Sequence, residues 1–302
     1  MNICLFSNDE ISKTLPRGDE RAQHIIKVLH KKAGDTFTAG IIGGASGTAR
    51  IVSIDEQGIS FDFTAEGEGK KLAPMDMIIG FPRPIQLKRL LRDIAALGTG
   101  RVYLTGTDLG EKSYMQSTLV ERGAAYKMLL DGTVQAGSTH VPELFLYKTL
   151  DECLDSISYE ASLFALDNVN PDMSLSSALA KAGKPERVIA AIGSERGWTD
   201  RERRLLESKG YVRCGMGERI MRTETAATVA GAIILSGLGI RKAAEPATGL
   251  SKEWDSRVRH GNDRLSEGRG WSESGTADVA TGHGAKRSGR EPPEDEKNEY
   301  DK

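Results

Sequence analysis

Ile189-Ala-Ala-Ile-Gly-Ser-Glu-Arg-Gly-Trp-Thr-Asp-Arg-Glu202 is an apolar run that passes into a glycine-bearing turn and then into a helix. Thr199 and Glu202 stand at the T-x-x-E spacing of a capping box, in which each side chain accepts a hydrogen bond from the other's backbone N–H and fixes the helix start. Strand, turn and helix in that order form the repeating unit of an α/β sheet. Ligands of open α/β sheets bind beyond the carboxyl ends of the strands, so the turn Gly193 to Gly197 is well placed for one. It is not the G-x-G-x-x-G of a dinucleotide site, and on spacing alone an ordinary strand-to-helix turn is the commoner reading.

The same rhythm extends in both directions. Strands are expected at Met75–Gly80, Val102–Thr105, Leu144–Tyr147, Ser162–Asp167, Arg187–Ile192 and Tyr211–Gly215. Helices are expected at Ile85–Leu97, Gln116–Leu130, Leu150–Ile157, Leu175–Ala182, Thr199–Lys209 and Thr225–Ser236. Apolar strands alternating with helices imply a largely parallel sheet covered on both faces. Residues 1–70 differ: short β-segments (Ile3–Phe6, Thr36–Ile42, Ala49–Asp55, Ile59–Phe63) joined by Gly-rich stretches, with one helix at Asp19–Leu29, describe a small β-barrel. Gly67 to Lys71 reads as a linker to the α/β domain, residues 74–242. Beyond Arg241 the chain is rich in Gly, Ser, Glu, Asp and Arg, and residues 243–302 are expected to be a disordered tail because they cannot bury enough apolar area to offset ordering entropy.

Composition narrows the partners. The 302 residues carry 41 Lys+Arg and 43 Asp+Glu, a net charge of -2; residues 1–242 hold 31 basic and 30 acidic, leaving 10 and 13 for the rest. A broad nucleic-acid-coating surface is excluded, and any RNA contact must be local. Cys4, Cys153 and Cys214 lie far apart with no C-x-x-C, so neither a disulfide framework nor a cysteine zinc site is indicated, and no metal is expected. With no secretory leader and no stretch of membrane-spanning length, a soluble cytoplasmic protein is expected.

A second strand-to-helix passage is Met216-Gly-Glu-Arg-Ile-Met-Arg-Thr-Glu-Thr-Ala-Ala227. Thr223 or Thr225 can cap the helix that follows, leaving backbone N–H groups and positive dipole facing the loop, where a carboxylate or phosphate could sit. That helix is apolar nearly all round and rich in small residues, so it is buried in the core or a subunit interface. Arg219, Arg222 and Glu224 are charges beside it, read either as a solvated turn or ion pair or as functional groups. On the N-terminal helix His24 reads as packed, whereas Lys27, His30, Lys31 and Lys32 form a candidate phosphate-contacting patch or a solvated face.

Ile192-Gly-Ser-Glu-Arg-Gly-Trp-Thr199, followed by Met216-Gly-Glu-Arg-Ile-Met-Arg-Thr-Glu-Thr-Ala226, resembles the paired I-G-P-E-G-G and L-G-x-R-I-L-R-T-E-T-A signature of the 16S rRNA uridine-N3 methyltransferase family. His24-Ile-Ile-Lys-Val-Leu-His-Lys-Lys-Ala-Gly-Asp35 is similar to that family's H-x-x-K/R-V-L-R-x-x-x-G-D, so the resemblance covers roughly residues 1–240. It implies a PUA-like RNA-binding barrel followed by a SPOUT methyltransferase domain with a trefoil knot, working as a homodimer whose interface includes the helix after Thr225. It further implies an S-adenosylmethionine (AdoMet) pocket made by Leu166, by Gly193, Ser194, Glu195 and Gly197, and by Met216, Gly217, Ile220, Met221, Arg222, Thr225 and Ala226. The implied activity is N3-methylation of a uridine in small-subunit rRNA, with Gln135 added to the RNA-contacting set. The alternatives are a different rRNA or tRNA base, or an RNA-binding protein that keeps the fold without turnover. A methyl sulfonium needs no activation, so the protein must hold donor and acceptor in line and help remove the N3 proton. Glu224 is a candidate base or base-orienting group, and Arg222 a candidate to stabilise negative charge on the uracil oxygens. The chain departs from the family's G-x-K-M at Gln86, from its E-Q-x-x-R at Val134 and Ser138, and from its Gly and Pro at Arg196 and Glu218, while Glu111-Lys112-Ser113 stands for E-R-S.

Overall fold

The computed structural model describes residues 2–116 and 123–240. The tail expected at 243–302 lies outside the described residues, as does the last part of the domain expected to run to 242.

The N-terminal region is a curled five-stranded sheet of order β1-β3-β4-β5-β2: β1 (Cys4–Phe6), β2 (Leu15–Pro16), β3 (Thr36–Ile41), β4 (Ala45–Ile54) and β5 (Gly58–Glu68). β1 pairs with β3 in parallel and the other neighbours are antiparallel. Register shifts between Ser46 and Gly47 and between Ile51 and Ser53 curl the long β4–β5 ribbon, because an extra residue on one strand bends it and raises its twist. Alternate residues Phe37, Ala39, Ala49, Ile51 and Ile59 point inward onto Phe6, Ala22 and Ile25.

Three expectations here are corrected. The helix expected at Asp19–Leu29 is one α-turn, α1 (Glu20–Gln23), capped by the Asp19 carboxylate, followed by a π-helical turn at His24–Val28. In that turn the Leu29 N–H reaches the His24 carbonyl, and the Lys31 N–H the Ile25 carbonyl. The wider turn keeps Ile25 buried and leaves Lys27, Val28 and Leu29 exposed. Pairing also extends further than expected at both ends, through the two-residue β2 and through β5, which runs to Glu68 into the expected linker.

The second sheet has seven strands, all parallel, in the order β10-β12-β9-β11-β6-β7-β8. They are β6 (Met75–Gly80), β7 (Arg101–Thr105), β8 (Glu143–Tyr147), β9 (Ser162–Leu166), β10 (Met173–Ser174), β11 (Val188–Ile192) and β12 (Val212–Gly215). The central strands read as unbroken apolar runs because both faces are covered. Met75, Met77, Ile79, Val188, Ala190 and Ile192 meet α2 (Pro84–Ala96), α4 (Ala124–Ala136), α6 (Leu175–Ala182) and α8 (Thr223–Gly237). Ile78, Ile189 and Ala191 meet α5 (Leu150–Asp155) and α7 (Asp200–Ser208) on the other face. Of the helix expected at Gln116–Leu130, residues 117–122 lie outside the described residues; α3 (Lys112–Met115) ends at Gln116, and α4 starts after Gly123, whose φ of +69° is left-handed.

At the amino ends of these strands sits a buried polar cluster. Asp76, fully buried, accepts from Arg187 Nη1 at 3.0 Å, from the Tyr159 hydroxyl at 2.7 Å and from the Arg101 N–H at 2.9 Å. Tyr159 also bonds the Tyr103 hydroxyl at 2.8 Å, and burial pushes its phenol upward, so it stays a neutral donor. Removing the carboxylate leaves the Arg187 guanidinium, the Tyr159 hydroxyl and the Arg101 N–H without their acceptor. Asp76→Ala is therefore expected to cost about 3 kcal/mol, a fall in Tm on the order of 10 °C, whereas Asp76→Asn, which keeps an acceptor, costs less. A calorimetric Tm for Asp76→Ala equal to that of the unaltered protein would show that the cluster does not hold the strands in place.

Candidate active site

The carboxyl ends of β9, β11 and β12 release three loops that enclose one cleft of about 290 Å³. The first loop, after β9, is held from two sides: the Asp167 N–H donates to the Cys214 carbonyl, and the Trp198 Nε1–H donates to the Leu166 carbonyl at 3.0 Å. The Asp167 side chain is buried and paired with Arg203 of α7 at 2.6 Å, and that carboxylate holds the guanidinium further protonated.

The second loop, Gly193–Gly197, closes as a tight turn in which the Gly197 N–H donates to the Ser194 carbonyl at 2.9 Å. A Cβ on Gly193 would stand 2.9–3.2 Å from Gly197 backbone atoms, so only glycine permits the turn. The Thr107 hydroxyl donates to Ser194 Oγ at 2.9 Å, tying the loop to the end of β7. The capping box read from sequence is formed, with Glu202 fully buried: one of its oxygens accepts from the Thr199 N–H and the other from the Asp108 N–H.

The third loop leads from β12 into α8, and one expectation is corrected there. Neither Thr223 nor Thr225 is the cap. The helix begins at Thr223 with Arg222 as its N-cap, which makes no side-chain capping bond. Thr223 is buried and its hydroxyl donates to the Gly193 carbonyl at 3.3 Å, so it joins the second loop to the third. The N-terminal turn of α8 thus forms a wall of the cleft without a side chain covering its N–H groups.

Of the residues expected to hold a donor, Leu166, Gly193, Ser194, Glu195, Gly197, Met216, Gly217, Ile220, Met221 and Ala226 line this cleft, whereas Arg222 and Thr225 are exposed and do not. The half-buried Glu224, in the first turn of α8, does not line it either. Arg203 and Cys214 line it and were not singled out as site residues from sequence; Asp167 and Thr223, which lie in loops expected to form the pocket, line it as well. Arg203 carries no signal in a segment that reads Asp-Arg-Glu-Arg-Arg, because only the fold sets it against Asp167. Lys27, His30 and Lys32 are exposed, Lys31 is half-buried, and the exposed Gln135 lies at the end of α4, where its carbonyl accepts from the Asn2 amide. Gln86 is half-buried, with its Oε1 buried and unpartnered among the described residues. Among those residues no three His, Cys, Asp or Glu side chains are grouped to hold a metal ion.

Fold and cleft define an α/β methyltransferase domain: residues 69–235 match the family model described as RNA methyltransferase domain. Ribosomal RNA small subunit methyltransferase E of Treponema pallidum is 38% identical over 260 residues, covering 82% of this chain and 96% of that protein. Ribosomal RNA small subunit methyltransferase E 1 of Borreliella burgdorferi is 29% identical over 237 residues, covering 78% and 97%. A crystal structure of ribosomal RNA small subunit methyltransferase E from Neisseria gonorrhoeae bound to S-adenosyl methionine aligns with a TM-score of 0.63 at 20% identity, over 78% of this chain and 97% of that one. The chain belongs to the ribosomal RNA small subunit methyltransferase E family of RNA methyltransferases.

The bond from Trp198 to Leu166 is the direct tie between the first and second loops. Trp198→Phe keeps the ring and deletes the donor, leaving a buried carbonyl unpaired; a loss of about 1–3 kcal/mol is expected, read by chemical denaturation, together with weaker ligand binding in the cleft. Unchanged stability and unchanged binding would remove Trp198 from the cleft's framework.

Proposed function

We propose that this protein transfers a methyl group from AdoMet to N3 of a uridine in the 16S rRNA of the small ribosomal subunit. The observation that carries the reading is the cleft in which three strand-end loops and the uncapped start of α8 converge, in a chain of this family. Its chemistry fits the donor. Leu166, Ile192, Met216 and Met221 offer an apolar surface to an adenosine, and the N–H groups at the start of α8 suit the carboxylate of the amino-acid moiety. When bound, AdoMet supplies an electrophilic methyl that needs no metal.

The rest of the reading follows the family. The curled sheet acts as a PUA-like RNA-binding barrel (1–70), and residues 74–242 form a SPOUT domain with a trefoil knot that works as a cytoplasmic homodimer. Lys27, His30, Lys31, Lys32 and Gln135 contact RNA, where phosphate contacts require cations and little geometric precision. Arg222, exposed at the start of α8 and outside the lining of the donor cleft, stands where RNA can reach it, and Glu224 complements the helix dipole.

The test is methyl transfer from labelled AdoMet to unmodified 30S subunits and to free rRNA, with the modified base then identified. A single N3-methyluridine is expected. RNA and AdoMet binding with no transfer would instead identify a fold retained without turnover. Lys31→Ala with Lys32→Ala is expected to weaken RNA binding and to lower the slope of log affinity against log salt by about one to two, with AdoMet affinity unchanged. An unaltered slope would return both lysines to solvent.

A further inference from the structure

The donor cleft is one end of a longer groove. Beside it, along the carboxyl edge of the sheet, lies a hollow of about 110 Å³, whose outer wall is Phe81, Arg83, Glu111 and Tyr114. Cleft and hollow share a wall of three residues, Ser194, Glu195 and Arg196. A larger cavity of about 310 Å³ continues beyond the hollow towards the ends of β7 and β8, sharing Phe81, Gly110 and Glu111 with it.

A methyl acceptor must touch the donor without occupying the donor's own site, so its reacting atom has to sit at the wall that the two spaces share. The shared wall has definite chemistry. The Ser194 hydroxyl is buried and already accepts from Thr107. Glu195 is a carboxylate with one oxygen engaged: Oε2 accepts from Arg83 Nε at 3.2 Å, and Oε1 has no partner among the described residues. Arg196 is an exposed cation with no ion pair among the described residues. A carboxylate paired with one guanidinium, in a hollow lined by a second arginine, offers one acceptor and two donor groups, the complement of one nucleobase edge. Uracil presents its N3–H donor between two acceptor oxygens, whereas cytosine presents an acceptor at N3 that would face the carboxylate. Tyr114, half-buried on the opposite wall, offers a ring for the base to lie against, as an extruded base requires.

We propose that the hollow between Arg83, Tyr114 and Glu195 seats the extruded acceptor uridine, with Glu195 as the general base and Arg83 and Arg196 holding the two uracil oxygens. The proposal rests on the function given above and names the substrate seat of that same site. In the step it describes, the N3–methyl bond forms as the methyl–sulfur bond breaks, whose electron pair stays on sulfur as a neutral thioether. The N3 proton passes to Glu195. That proton becomes acidic as the N–C bond forms, so a carboxylate suffices, and the guanidinium groups stabilise the negative charge shared by O2 and O4.

The experiment measures transfer to unmodified 30S subunits at saturating AdoMet, with AdoMet affinity measured separately by calorimetry. Glu195→Gln is expected to lower turnover by about a hundredfold or more, with the deficit shrinking as pH rises towards ionisation of N3 itself, where no base is needed. Arg83→Ala and Tyr114→Ala alter residues that line the hollow and not the donor cleft; each is expected to lower kcat/KM for RNA by roughly tenfold, with AdoMet affinity unchanged. Turnover of Glu195→Gln at the unaltered rate, or a loss that follows AdoMet affinity and ignores pH, would overturn the assignment while leaving the methyltransferase reading in place. Absence of transfer to any rRNA by the unaltered protein would overturn both.

Discussion

Val188 to Ile192 are hydrogen-bonded on both sides, to Met75–Ile79 on one and to Ser162–Leu166 on the other, and are buried on both faces of the sheet. This central position is what brings the loops after β9, β11 and β12 together. β6, β7 and β8 proceed outward in sequence; the chain then returns to lay down β9 on the other side, leaving room for β11 between β6 and β9, with β12 outside β9. Successive parallel strands that reverse the direction of growth open a crevice at their carboxyl ends. Here β11 delivers Gly193–Gly197 into that crevice, with the β9 loop on one side and the end of β6 on the other. Gly80, at the end of β6, approaches so closely that a Cβ would lie 2.5 Å from the Ser194 nitrogen, so the position of the second loop is set by the strand itself.

Loop geometry is then carried by a few bonds between elements distant in sequence. Trp198 reaches back to Leu166, Thr223 to Gly193, Thr107 to Ser194, and Asp108 is gripped by both Thr199 and Arg201. The bonds from Trp198 and Thr223 satisfy buried carbonyls that would otherwise be orphaned at the edge of an apolar core, and so they serve stability and site shape together. The cost of precision is low because the scaffold is rigid: loops on a two-sided parallel sheet inherit its register.

Much of this was legible in the sequence because local rules and global fold agree there. The apolar runs at Met75, Val102 and Val188 are strands by length and flanking turns, and the Thr199 capping box formed as read. Misreadings fall where tertiary contact overrides local preference. His24 to Val28 has the composition of an α-helix, yet burying Ile25 against the curled sheet selects the wider π-turn. Thr223 has the residue type of an N-cap, but a nearby carbonyl, that of Gly193, takes its hydroxyl and shifts the cap to Arg222. Two-residue strands such as Met173–Ser174 leave no periodicity to detect. Most of the residues that line the cleft could be read together because they lie in two continuous motifs, Ile192–Thr199 and Met216–Ala226. The neighbouring hollow could not be read, because Arg83 and Glu195 are 112 positions apart and only the adjacency of β6 and β11 brings them together.

Charge follows the same logic of pairing over composition. A body of nearly equal basic and acidic content gives no hint of a polyanion partner, but the ion pairs are distributed unevenly. Arg21, Arg92, Arg101, Arg187, Arg201, Arg203 and Arg213 are neutralised by nearby carboxylates. Among the described residues Lys27, Lys32, Lys88, Arg89, Arg196, Arg219 and Arg222 are exposed, and none of them forms an ion pair. Paired arginines fix strands and loops, and their field is cancelled within a few ångströms. Unpaired cations project a field over a Debye length of about 8–10 Å, which is the distance over which a phosphate backbone is first felt. A protein of net charge near zero can therefore still present local positive field, here beside the strand-end loops and on the π-turn, without attracting polyanions everywhere.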